Sequence, residues 1–112
     1  MANSNCWVQF WENDSYDGRT DTYNNEQRVN NLKDEHYDGS SKDEYHSYNS
    51  LKTGPTGYLI AFDGLNLTGN SITFGPNSNV PHLDQHQRGS LGSWQNSIGS
   101  FILLDGAPET LD

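Results

Sequence analysis

Apolar and polar positions alternate in short runs along this chain, and each run stops at a cluster of Gly, Pro, Asn or Asp. In Trp7-Val8-Gln9-Phe10-Trp11-Glu12, residues Trp7, Gln9 and Trp11 share one face and Val8, Phe10 and Glu12 the other. That two-residue period predicts a strand. Asn13 to Gly18 carries turn residues, with Gly18 placed to take positive φ, and Arg19 to Tyr23 predicts the return strand of a hairpin. Further strands are predicted at Ser50 to Thr53, Tyr58 to Phe62, Asn70 to Phe74 and Ser100 to Leu104, with a short extended piece at Asn79 to Leu83. No segment sustains a helical period. Short strands separated by Gly, Pro and Asn turns indicate an all-β sandwich.

The pattern occurs twice. Trp11 is followed by six residues and Gly18. Phe62 is followed by six residues and Gly69, and each lies 51 positions downstream of its mate. Ser50-Leu51-Lys52-Thr53 and Ser100-Phe101-Ile102-Leu103 end the two copies at nearly the same offset. A repeat of this length is one supersecondary unit used twice. The aromatic packs over its hairpin, the Gly lets the backbone fold beneath it, and the Ser hydroxyl can satisfy backbone groups there.

Composition narrows the function. With 31% apolar residues the core must be modest, but 12% are aromatic, and rings bury much area per residue. At 112 residues one domain is expected. A net charge of −9 argues against nucleic acid and anionic membranes as partners, which need clustered positive charge. Acidity favours cations or a basic protein partner. The single Cys6 forms no intrachain disulfide, and no signal-length or membrane-length apolar run is present. A cytoplasmic monomer or weak dimer is the expectation. Asn24 to Ser47 is polar and acidic, and reads as a long insertion with a short strand or turn near Val29 to Leu32.

These residues resemble the βγ-crystallin family over about residues 7–104, in particular its microbial, spherulin-like single-domain members. The resemblance implies two Greek key motifs, about eight strands in two sheets. Repeat 1 would span about 7–54, with the polar insertion 24–47, and repeat 2 about 58–104. Residues 1–6 would be an N-terminal extension and 105–112 a tail. Trp11, Gly18, Ser50, Phe62, Gly69 and Ser100 would be the structural signature.

The resemblance also implies a place for calcium. Many members bind it through Asn/Asp, Asn/Asp, two residues, Ser/Thr and Ser before the last strand of each repeat. Here Gln95-Asn96-Ser97-Ile98-Gly99-Ser100 keeps Asn96, while Gly99 lacks the ligating hydroxyl. Tyr45-His46-Ser47-Tyr48-Asn49-Ser50 replaces both leading positions, and Asn49 replaces the hydroxyl residue. Calcium wants six to eight oxygens and an imidazole suits it poorly. The expectation is weak or lost binding, with Asn96, Ser97, His46, Ser47 and Asn49 as the candidate ligands and Asp43 and Glu44 as shifted ones. A second candidate is His82-Leu83-Asp84-Gln85-His86. In an extended chain His82, Asp84 and His86 would share a face, as zinc or nickel needs.

No catalytic constellation is present: no phosphate loop, no nucleophile elbow, no activated Cys. Two classes of function follow. One is a non-enzymatic structural or stress protein with degenerate calcium sites. The alternative is a protein-binding module, of inhibitor, toxin or immunity type, that uses Tyr37, Tyr45, Tyr48 and the acidic residues of 24–47 against a basic partner.

Overall fold

The computed structural model describes residues 5–88 and 92–106. Residues 1–4 of the expected extension and 107–112 of the expected tail lie outside them. Among the described residues there are eight strands: β1 (Trp7–Asn13), β2 (Asp17–Asn24), β3 (Gln27–Val29), β4 (Ser50–Thr53), β5 (Gly57–Phe62), β6 (Ser71–Phe74), β7 (Asn79–Val80) and β8 (Ser100–Asp105). They form two four-stranded antiparallel sheets, ordered β2-β1-β4-β7 and β3-β8-β5-β6. Each repeat therefore keeps three strands in its own sheet and gives its third to the other. β3 of repeat 1 pairs with β8, and β7 of repeat 2 pairs with β4.

The alternation read from the sequence decides which side chains meet. On β1, Val8 and Phe10 are fully buried while Trp7, Gln9 and Trp11 are half-buried. On β5 the buried set is Leu59 and Ala61, and on β8 Phe101 and Leu103. Phe10 stacks on Tyr48 with centroids 3.9 Å apart and reaches Phe101 across the sandwich at 5.2 Å. Aromatic rings supply what few aliphatics cannot. Cys6 is also in this core, its Sγ 3.6 Å from Leu104 O. Burial, then the nearby Asp105 and Glu26 charges, pushes its thiol up and keeps it unreactive. Asn5 and Cys6, expected in the extension, are tied into the fold: their carbonyls accept from Thr56 N and Asn25 N. Asp105, expected to open the tail, ends β8.

The two hairpins are near copies. Ser15, Tyr16 and Gly18 take φ of 58°, 61° and 85°, and Asn66, Leu67 and Gly69 take 59°, 60° and 90°. Ser50 Oγ accepts from Tyr16 N (3.0 Å) and donates to Asn13 O (2.6 Å). Ser100 Oγ accepts from Leu67 N (3.0 Å) and donates to Gly64 O (2.7 Å). Each Ser thus pins a hairpin whose left-handed residues are costly alone. A Cβ on Gly18 would lie 2.6 Å from Asn13 Nδ2, and one on Gly69 would fall on the Asp63 carboxylate. That carboxylate is held by Arg88 and Asn70 and cannot swing away as Asn13 can. Gly69→Val should therefore cost clearly more than the ~1 kcal/mol of an ordinary glycine replacement, and more than Gly18→Val. Urea midpoints of the two variants check both the size and the order.

The polar insertion expected at 24–47 is not one. Residues 30–49 join β3 to β4, and residues 81–99 join β7 to β8, so the two repeats have connections of nearly equal length. Each contains a 3₁₀ turn with a buried Leu (Leu32–Asp34 and Leu83–Gln85) and a single bridge (His36 with Asp43, Gln87 with Ser93). The first connection ends in core: Tyr37 and Tyr48 are 1% and 0% exposed, and Glu44 is 0%. The sequence misled because tyrosine hydroxyls and a carboxyl group here bury as a bonded group. Two of the three tyrosines expected on a recognition surface are therefore inside. No helix among the described residues is long and apolar enough to cross a membrane.

Candidate cation sites between the two repeats

The stretches before β4 and β8 face each other. His46 N donates to Ile98 O (3.0 Å) and Asn96 N donates to Tyr48 O (2.9 Å). His46 and Asn96 both take left-handed φ, 51° and 55°. This pairing crosses the repeats. Each candidate site combines a hairpin carbonyl and the residue before the pinning Ser (Ser50 or Ser100) of one repeat with the second residue of the other repeat's stretch. The first is Glu12 O, Asn49 and Asn96. The second is Asp63 O, Gly99 and His46.

In the first site the Asn49 amide bridges the other two groups. Its Nδ2 donates to Glu12 O (2.5 Å) and to Asn96 Oδ1 (3.0 Å). Asn49 Oδ1 is left buried without a partner, but the reverse orientation would set three oxygens against one another. In the second site His46 Nε2 lies 2.9 Å from Asp63 O, which requires the tautomer protonated at Nε2. Tyr45 stacks on the His46 ring at 3.8 Å, and Lys33 Nζ lies 4.8 Å from the Tyr45 centroid. Arg88 Nη1 is 3.0 Å from Asp63 Oδ2. Burial raises the Asp63 carboxyl, but its bonds from Asn70 and Arg88 outweigh this and hold it below its usual range. That carboxylate is already fully engaged.

The other expected ligands point elsewhere. Ser47 Oγ donates to Glu44 O (3.1 Å) and shares a 2.5 Å hydrogen bond with Tyr37 Oη. Ser97 Oγ donates to Gln95 O (2.9 Å). Asp43 Oδ1 accepts from Tyr45 N (3.1 Å). Glu44 sits inside the first sheet's edge, where Tyr23 Oη (2.9 Å) and Tyr48 Oη donate to its Oε1. Burial, then a hydrogen bond with Asp21, pushes its carboxyl up to about 8. Glu44 is thus held toward its neutral form, and the burial of Tyr23 and Tyr48 themselves is the main cause that pushes their hydroxyls up as well. Sequence reading missed Glu12 O and Asp63 O, because any residue supplies a carbonyl.

Solved structures place this architecture. A βγ-crystallin domain described for the evolution of the eye-lens fold is 18% identical, covers 96% of this chain and 93% of its own, and superposes with a TM-score of 0.71. The chain has the βγ-crystallin fold. A βγ-crystallin domain from Clostridium beijerinckii is 17% identical with a TM-score of 0.65, covering 88% of this chain and 97% of that one. The βγ-crystallin domain of Abundant Perithecial Protein from Neurospora crassa, in its Ca2+-bound form, is 18% identical with a TM-score of 0.65, covering 97% and 99%. No family model matches the sequence, and no curated protein matches it.

Against the needs of calcium, these βγ-crystallin positions fit badly. The first site offers neutral amide and carbonyl oxygens with an N–H group between them. The second has an imidazole, a missing hydroxyl at Gly99, and two cationic side chains nearby. Neither supplies the carboxylate oxygens that a strong calcium site uses.

Proposed function

We propose that this protein is a non-enzymatic member of the βγ-crystallin family with a structural or stress role, and that calcium binding at the family's two positions is weak or lost. One observation carries the reading. A donor from the chain itself, the Asn49 amide in one site and the His46 imidazole in the other, already holds the oxygens a cation would bridge. An internal hydrogen bond needs no ion, so the hairpins are fastened whether or not calcium is present. The shared strands β3 and β7 support the same role, because neither repeat can come away without losing an edge strand of each sheet.

The second site gives a direct test. A Cβ on Gly99 would lie 3.0 Å from Gly64 O and 3.1 Å from both Asp63 O and Tyr45 Cε1, so a Ser there is crowded while the Tyr45–His46 stack stays in place. Gly99→Ser alone should leave calcium binding weak. The double variant H46D/G99S returns a carboxylate and a hydroxyl together. It should bind calcium at least about tenfold tighter than either single variant by calorimetry. Wild-type protein binding as tightly as the double variant would overturn the proposal.

A further inference from the structure

We propose a separate divalent-metal site, of zinc type, built from Asp14, His82 and Asp84. These residues come from the first repeat's hairpin and the second repeat's 3₁₀ turn. One ligand atom from each lies within 4.8 Å of the other two. His82 Nδ1 is 3.5 Å from Asp14 Oδ2. Tetrahedral zinc with bonds of ~2.1 Å spaces its ligands by about 3.4 Å, so this pair already stands at the right separation. One imidazole and two carboxylates suit zinc or a similar borderline ion, with water in the fourth position, and do not suit calcium.

Two observations point to a ligand. First, Asp14 Oδ1 is turned away from solvent and has no hydrogen-bond partner in the protein, although the side chain as a whole is 42% exposed, and a cation bound there would give that oxygen a partner. Second, the fold does not need these side chains. The positions 51 residues away are Leu65, Asn31 and Lys33, which hold neither a carboxylate nor an imidazole. There Asn31 caps its 3₁₀ turn by accepting from Lys33 N (2.9 Å), whereas His82 makes no cap bond and faces Asp14 instead. The backbone beneath is the same in both copies. Ser15 N donates to Pro81 O (2.9 Å) as Asn66 N donates to Asn30 O (2.7 Å). Leu83 N donates to Asn49 O (3.0 Å) and fixes the turn that carries Asp84. One copy of a rigid frame thus carries a ligand set that the other lacks. The histidine expected to complete a site with His82 and Asp84 is elsewhere: His86 lies edge-on to Phe74 at 5.3 Å. Asp14, 68 residues before His82 in the chain, takes its place.

Zinc chloride titrated into the full chain, with calcium and magnesium in excess, is the test. The expected result is saturable one-to-one binding, with a ring-nitrogen shift confined to His82 in long-range histidine ¹H–¹⁵N spectra. His36, His46 and His86 serve as internal references. Asp14→Asn and His82→Gln should each weaken binding at least about tenfold, and His86→Gln should leave it unchanged. The wild-type spectrum decides the ligand even where a variant folds poorly. Saturation requiring millimolar zinc, a shift at another histidine first, or a His82→Gln variant binding like wild type would overturn the proposal.

Discussion

A Glu44→Gln variant should lose most of the pH dependence of stability that the wild-type chain shows between pH 5 and pH 8. Glu44 is fully buried and its carboxyl is held at about 8, against 4.5 in the unfolded chain. The sign follows from proton counting. Above pH 4.5 the unfolded chain has released this proton and the folded chain keeps it, so stability falls as pH rises and the contribution is gone once pH passes the folded value. At about 1.4 kcal/mol per pH unit, the fall is on the order of 4 kcal/mol across that window. Asp63 acts in the opposite sense but only near and below its ordinary value of 3.8, outside the window. Gln keeps the oxygen that accepts from Tyr23 and Tyr48, and its amide, like a protonated acid, offers a donor where Glu44 Oε2 is otherwise without a partner. Urea denaturation at pH 5, 6.5 and 8 should show a falling wild-type line and a nearly flat variant line. Parallel lines would mean that Glu44 is ionised in the fold.

Phe10→Ala should destabilise the protein by about 3–5 kcal/mol, a large share of the roughly 5–15 kcal/mol typical of a domain. Phe10 is fully buried, lies flat against Tyr48, and meets Tyr23 and Phe101 at 6.2 and 5.2 Å. It joins the first sheet, the connection that carries Glu44, and β8 of the second sheet, so its removal opens a cavity shared by all three. Phe10→Leu should cost much less, because most of the volume stays filled. Thermal or urea unfolding separates the cases. A Phe10→Ala loss below about 1 kcal/mol would show that the core does not turn on this ring.

The fold was legible because its signals are local and occur twice. An aromatic, six residues and Gly, then a Ser strand, encode a hairpin and the hydroxyl that pins it. The exchange of β3 and β7 between sheets was not legible, since three- and two-residue strands have no period to read. Residues 24–47 misled for a chemical reason. Tyr37, Tyr48, Ser47 and Glu44 look solvent-facing in a sequence, yet each satisfies another's polar atom and the set buries together. The resemblance singled out the stretches that carry Asn96, His46, Asn49 and Gly99, and the fold brings these four together across the repeats. Two members of the candidate cation sites, Glu12 O and Asp63 O, are backbone, and Ser47 and Ser97 turn away to bond carbonyls. The approach of Asp14 to His82 depends on a contact between repeats that no spacing rule reports.

Thermal unfolding of the wild-type chain in chelator and in enough calcium to fill a micromolar site, run beside a calorimetric calcium titration, tests most directly whether this fold holds without the ion. Ligand that binds only the folded state must raise the midpoint. The account predicts superimposable unfolding curves and no saturable heat in the micromolar range, because Asn49 and His46 already fasten the two positions. Two saturable micromolar sites with a raised midpoint would contradict it.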